Sequence, residues 1–357
     1  MYDLPPDQWK EISLGRRFTA RVSQAIPARP RLRFFGLPSG VVSVAEAGDA
    51  VEAVQANDSE GLYRIPRGWV WTGGAHLDAK NRLVDDLSPG VNRPAAWWFV
   101  RRQRFFPPVI ESRGPLFSLI GDGAMNLYHW TFDILPRLRW LDPARRSQVC
   151  VLARAEQPFH KVCLEAAGFS ASSIVVAQPM TLYRPQELLV SKIEKGRTPA
   201  NFALAREVYL KASESVPKSA APLRLYISRN RATSRRIVNE EELLRILEPR
   251  GFRTVHMETL PLPEQLALFR DAEAILAPTG AALTQIHLCP PDAKLLVIMP
   301  ERCDDFVYRD MAKVLGLSAE MLIAPPEPRD SPDPVKADLF LDPACLAAIE
   351  KFVRGLA

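Results

Sequence analysis

From residue 1 to about 110 the apolar positions come in short runs, such as Val41-Val42-Ser43-Val44 and Trp69-Val70-Trp71, broken by Gly, Pro, Asn and Asp. That punctuation predicts short strands and loops, so this portion reads as β-rich. Between about 115 and 215 the pattern alternates. Residues 127–140, 158–167 and 199–212 have helix-like patterning, while 148–153 and 174–177 are apolar runs of strand length. From 223 onward the alternation is regular. Strands are predicted at 223–228, 252–256, 274–277 and 294–299, with helices at 240–248, 263–271 and 281–288 between them. Strands alternating with helices of this length indicate parallel sheet covered on both faces, and the last series reads as a Rossmann-like βαβαβαβ unit. Polar, proline-punctuated residues 213–222 read as a linker, and 343–354 as a terminal helix.

At 357 residues, with 47% hydrophobic and 24% charged positions, the chain has the balance of an ordinary globular protein of two or three domains. No apolar stretch approaches the roughly 20 residues that span a bilayer, and the first residues lack a basic and then apolar leader. A cytoplasmic location is expected, with Trp97-Trp98-Phe99-Val100-Arg101-Arg102 as the candidate peripheral membrane contact at the inner face; a buried strand is the competing reading of that stretch. The 5 cysteines include no C-x-x-C pair, which points to reduced, mostly buried thiols rather than disulfides or structural zinc.

A net charge of +5 is modest, but its distribution is uneven. No acid occurs between Glu214 and Glu240, where Lys218, Arg224, Arg229, Arg231, Arg235 and Arg236 stand. Arg229 and Arg235 fall on loops that follow one predicted strand of the second unit. Thr279-Gly280-Ala281, with Thr284 close behind, lies where another strand ends and a helix begins. Amides at such a turn and guanidinium forks both suit phosphate. A solvated arginine face and a simple Thr279 N-cap are the structural alternatives. Asn239 with Glu242 reads as a capping box. In the first half, His129 and Asp133 stand at i and i+4, where a carboxylate can orient an imidazole or itself accept a proton; a local hydrogen bond is the alternative. Asp85-Asp86 and Asp304-Asp305 are adjacent acids rather than a D-x-D, so no metal bridging a diphosphate is expected, and no P-loop, H-E-x-x-H, G-x-S-x-G or kinase signature occurs.

The blocks Asn126-x-Tyr128-His129-x-x-x-Asp133, Ile227-Ser228-Arg229, Arg235-x-Ile237-x-Asn239-Glu240, Gly251-Phe252, Glu264-Gln265 and Gly280-Ala281-Ala282-Leu283-Thr284 together resemble glycosyltransferase family 61 over about residues 115–300. The resemblance implies an α/β, GT-B-like protein in which two Rossmann-like domains face a cleft. Residues 1–215 would form the acceptor side (β-rich 1–110, α/β 115–215), 216–330 the nucleotide-sugar-binding side, and 331–357 a tail. It implies an inverting transfer from a nucleotide-diphosphate sugar such as a UDP-sugar to a glycan or lipid-linked acceptor, without cofactor or metal, as in capsule and other polysaccharide biosynthesis. His129 and Asp133 would supply the base, with the choice between them open. Arg229, Arg235, Thr279, Gly280 and Ala281 would hold the donor diphosphate, and Ser228 and Thr284 are further candidates for the donor site. The family usually has His-Gly-Ala where this chain has Thr279-Gly280-Ala281, and Gln285 stands where Asn is common. The histidine's replacement motivates an alternative, a non-catalytic nucleotide- or sugar-binding protein. A basic nucleic-acid-binding role ranks last, since no module for it is present.

Overall fold

The computed structural model describes residues 40–57, 59–88, 108–194, 196, 198–303 and 306–356. The Trp97–Arg102 stretch and Asp304-Asp305 lie outside the described residues. The first sheet has ten strands: β1 (Gly40–Val42), β2 (Glu52–Ala56), β3 (Gly61–Pro66), β4 (Trp69–Trp71), β5 (Ala75–Leu77), β6 (Arg82–Val84), β7 (Val109–Ser118), β8 (Cys150–Ala153), β9 (Ile174–Val176) and β10 (Leu182–Lys192). Its order is β1-β6-β5-β4-β10-β7-β8-β9, with β3 also paired to β10 and carrying β2. β10 runs antiparallel to β3 and β4 but parallel to β7, which continues in parallel through β8 to β9. The β-rich portion and the α/β portion are therefore one mixed sheet. Its parallel strands stand in the order β9-β8-β7-β10, the 3-2-1-4 order of a Rossmann-like half, and β10 joins them to an antiparallel meander.

Four helical pieces accompany this sheet: α1 (Val44–Ala47), α2 (Leu127–His129), α3 (Pro158–Ala166) and α4 (Pro199–Ala212). α4 begins where expected because Thr198 accepts a hydrogen bond from the Asn201 amide at 3.2 Å and Pro199 occupies the first turn, where no amide is needed. α2 does not continue as an α-helix. It passes into a π-helical turn, Trp130–Ile134, and then a 3₁₀ stretch, Leu135–Trp140.

The second sheet is wholly parallel, with β11 (Leu223–Ile227), β12 (Phe252–Val255), β13 (Ala272–Pro278), β14 (Lys294–Pro300) and β15 (Ser318–Ala324) in the order β12-β11-β13-β14-β15. This is a doubly-wound sheet of the 2-1-3-4-5 type. Its helices are α5 (Glu240–Leu247), α6 (Leu262–Arg270), α7 (Val307–Leu315) and α8 (Pro343–Arg354). Both faces of the inner strands β13 and β14 are buried, which explains their apolar runs. Ile275, Leu295 and Val297 point into a core shared with Phe117, Val151 and Leu189 of the first sheet, while Leu276, Leu296 and Ile298 point to the opposite face against Leu243 and Ile349. One continuous core thus joins the two sheets.

Two local expectations are corrected. Residues 281–288 form a 3₁₀ helix, Ala281–Leu288, rather than an α-helix, with the buried His287 ring donating Nδ1–H to the Thr284 carbonyl at 2.8 Å. Asn239 does not cap α5 with its side chain. Its amide group instead clamps the buried Leu341 backbone, donating to the carbonyl at 2.8 Å and accepting from the amide at 2.9 Å. The 5 thiols are free, with Cys163, Cys289 and Cys345 buried. Among the described residues no helix is long and apolar enough to cross a membrane.

Candidate active site

In a sheet of order 2-1-3-4-5 the strand order reverses between the first and third strands, here β11 and β13, and the crevice beyond their carboxyl ends is where such folds bind ligands. β11 ends at Ile227 and leads into Ser228-Arg229; β13 ends at Pro278 and leads into Thr279-Gly280. Both sequence candidates for anion binding therefore stand at the switch point. The Arg229 guanidinium lies directly over Gly280, where a Cβ would meet Nη1 and push the guanidinium aside. Arg235 reaches across from the same loop and donates from Nη1 to the Thr279 carbonyl at 3.0 Å. Its backbone sits at φ 58°, a left-handed conformation uncommon for a side-chain-bearing residue, and its Nε is buried without a hydrogen-bond partner among the described residues.

The electrostatics favour an anion. Burial first, and then the like charge of Arg235, hold the Arg229 guanidinium below the usual arginine range, against smaller opposing pulls from Tyr308, Glu258 and Asp338. Two other arginines of the run are engaged elsewhere: Arg224 pairs with Glu273 at 2.5 Å and Arg236 with Asp338 at 2.5 Å. Gly280 precedes the first turn of Ala281–Leu288, whose leading amides have no acceptor inside that helix.

The loop holding Arg229 is fixed by a residue the sequence reading did not place in the site. Glu240, at the start of α5, accepts from Tyr226 Oη at 2.6 Å, Ser228 Oγ at 2.6 Å and Asn230 Nδ2 at 2.9 Å. The signal was present in the i, i+2, i+4 spacing of Tyr226, Ser228 and Asn230, which puts three donors on one face of an extended segment. Ser228 is thereby committed to Glu240 and 2% exposed. Thr284 is fully buried, and its hydroxyl has no hydrogen-bond partner among the described residues. Neither side chain is brought to the surface of the site, whereas Ala281 is exposed and Thr279 is 4% exposed with its amide bonded to the Ile298 carbonyl at 2.8 Å. Gln285 turns inward to Gln265 at 2.9 Å.

His129 and Asp133 are joined by a 2.7 Å contact between Nδ1 and Oδ2. With Nδ1–H donating to the carboxylate, Nε2 is the basic nitrogen of the ring. The imidazole is 48% exposed while the carboxylate beneath it is 15% exposed. Gly123, at φ 74°, leaves room for the ring; a Cβ there would lie 2.8 Å from it. α2 packs against Ala281–Leu288, and the Phe132 ring meets His287 edge-on at 5.5 Å between centroids, so the His129–Asp133 pair and the Gly280 turn occupy neighbouring, mutually packed elements. Among the described residues no group of three His, Cys, Asp or Glu is placed to hold a metal.

An arginine-lined turn at the sheet switch point thus stands beside a His–Asp pair on the adjoining element. Residues 127–296 match the family described as Glycosyltransferase 61. An EGF domain-specific O-linked N-acetylglucosamine transferase of Drosophila melanogaster is 33% identical over 96 residues, a stretch covering 26% of this chain and 18% of that protein. The chain therefore spans under a fifth of that relative's length in the match. Among solved structures, the iron-containing dodecameric glycosyltransferase TibC from enterotoxigenic E. coli overlays at a TM-score of 0.30 with 12% identity, covering 75% of this chain and 81% of its own. The heptosyltransferase TibC in complex with ADP-D-β-D-heptose overlays at 0.29 with 11% identity, covering 71% and 78%. Overlays this loose define no shared fold.

Proposed function

We propose that this protein is an inverting glycosyltransferase with a GT-B-like division of labour, residues 1–215 serving the acceptor and 216–330 the nucleotide-sugar donor. The observation that carries the reading is the meeting of Arg229 and Arg235 at Thr279-Gly280 on the β11/β13 switch point. Two guanidinium groups and the leading amides of Ala281–Leu288 suit a diphosphate whose negative charge grows as it departs. The acceptor hydroxyl attacks C1 and gives its proton to His129 Nε2, oriented by Asp133, while the bond from C1 to the phosphate oxygen breaks. The nucleoside diphosphate leaves with the bonding electrons, and the anomeric configuration inverts. In this reading Arg229 and Arg235 neutralise the departing diphosphate.

Screening UDP-, GDP- and TDP-sugars for binding and for transfer to glycan and lipid-linked acceptors tests this. Asp133→Asn is expected to lower transfer at least about a hundredfold while leaving donor affinity intact; near wild-type turnover would remove the pair from catalysis. A second reading, a non-catalytic nucleotide- or sugar-binding protein, is favoured by Thr279, which supplies no imidazolium. It predicts donor binding without hydrolysis or transfer in the same screen.

A further inference from the structure

The backbone beneath Asp133 changes register twice, and two buried side chains compensate. In the π turn Trp130–Ile134 and the 3₁₀ stretch Leu135–Trp140, carbonyls lose their ordinary i+4 amide donors. Pro136 has no N–H to offer Phe132, and the tightened register turns the Arg137 amide away from Asp133. The Phe132 carbonyl is taken instead by Asn201 Nδ2 at 3.2 Å, and the Asp133 carbonyl by Arg137 Nε at 3.1 Å. Arg137 also donates from Nη1 to the Ile120 carbonyl at 2.9 Å, which ties the turn to the chain leaving β7.

We propose that Arg137 is the positioning residue of the His129–Asp133 pair, fixing the Asp133 backbone from below and countering its carboxylate charge. This rests on the reading of that pair as the acid–base machinery. Arg137 is 3% exposed, and a buried guanidinium without a compensating anion is costly. The acids that favour its charge are Asp133 first and then Asp122, on the chain following β7. Burial lowers Arg137 to about 10, so it remains a cation at neutral pH. The charged or titratable groups recorded around the pair are thus His129 and Asp133 themselves, Arg137 one turn on, and Asp122, which acts on Arg137. His76 on β5 is near enough to Arg137 for that charge to help keep its imidazole neutral. Space for the guanidinium comes from Gly121, where a Cβ would stand 2.7 Å from Arg137 Nη2.

The test follows the His129 imidazole by NMR through a pH titration in the wild type, Arg137→Lys, Arg137→Met and Gly121→Ala, and needs no donor. Loss of the cation in Arg137→Met is expected to move the His129 midpoint to higher pH, while Arg137→Lys stays with the wild type. Where a donor sugar is turned over, Arg137→Met is expected to lower kcat about ten- to a hundredfold with KM within about twofold, and the acid limb of the pH profile to shift with the imidazole. Gly121→Ala displaces the guanidinium without removing its charge. It carries the test if Arg137→Met does not fold, with a smaller kcat loss expected in the same direction. A folded Arg137→Met with an unmoved His129 titration and only a lower melting temperature overturns the proposal. A moved titration in a protein that transfers no sugar upholds the positioning role and refutes the transferase reading.

Discussion

Replacing Arg229 by alanine separates a binding role from a structural one, because the two are expected to respond in opposite ways. In the ligand-free protein the substitution removes one hydrogen bond, from Nε to the Ser234 carbonyl at 3.2 Å, which contributes about 1 kcal/mol. It also removes a partly buried cation facing a second cation, Arg235, and that relief offsets the loss. The net change in stability is therefore small, about 2 °C or less in melting temperature. With a diphosphate bound, the same guanidinium would make charge-assisted hydrogen bonds contributing about 1.5–3 kcal/mol, so its removal weakens affinity about ten- to 150-fold. Isothermal calorimetry with UDP, GDP and TDP, beside a thermal melt of the free protein, measures both quantities. Unchanged affinity refutes the assignment. A collapse of the ligand-free protein by more than about 3 kcal/mol shows instead that Arg229 is a structural cation.

Three further outcomes follow from particular contacts. Arg235 holds φ 58°, which costs a side-chain-bearing residue about 1–2 kcal/mol; Arg235→Gly is expected to be about 1 kcal/mol more stable than Arg235→Ala in urea unfolding, both losing diphosphate affinity, and equal stability contradicts this. Asn239→Ala leaves the buried Leu341 amide and carbonyl unpaired and is expected to cost about 2 kcal/mol or more without changing donor affinity; a loss under about 0.5 kcal/mol shows that the clamp is dispensable. His76 and His287 are fully buried and pushed down to about 3 and about 4, by burial first. Their unfolded forms take up protons near 6.5, so stability is complete above that pH and falls as pH drops toward 4 and then 3. The slope is about 1.4 kcal/mol per pH unit for each histidine. Urea midpoints at pH 7, 6 and 5 measure it, His287→Asn should remove its share, and a flat response contradicts the assignment.

The inner strands β13 and β14 of the second sheet were legible because they are buried on both faces, which leaves apolar runs that no loop would carry. The edge strand β15, with alternate residues exposed, was not predicted. The 3₁₀ helix was not legible either, since helical patterning is the same whether backbone bonds close at three or four residues. In the first sheet β10 was not predicted, because its Arg184-Pro185-Gln186-Glu187 breaks the apolar pattern as a loop would. A register irregularity against β7 between Pro185 and Glu187 accommodates the proline inside a central strand. β7 hides in the same way behind Gly114 and Pro115. The arginine loops and the Gly280 turn were found from charge and turn chemistry, because strand ends of one parallel sheet share an edge. Arg137, Asn201 and Glu240 were not, because a buried polar side chain is explained by the carbonyls or hydroxyls it serves, and those partners appear only when the chain is folded. Asn239 shows the converse: its spacing to Glu242 fits a cap, but a tertiary partner 102 residues away holds its side chain.

A crystal soaked with a nucleoside diphosphate tests most directly whether the β11/β13 switch point is a donor site. The phosphates are expected between the Arg229 and Arg235 guanidinium groups, with at least one oxygen within hydrogen-bonding reach of an amide among residues 280–282. A diphosphate bound elsewhere, with Arg235 still donating to the Thr279 carbonyl and Arg229 still lying on Gly280, would contradict that placement.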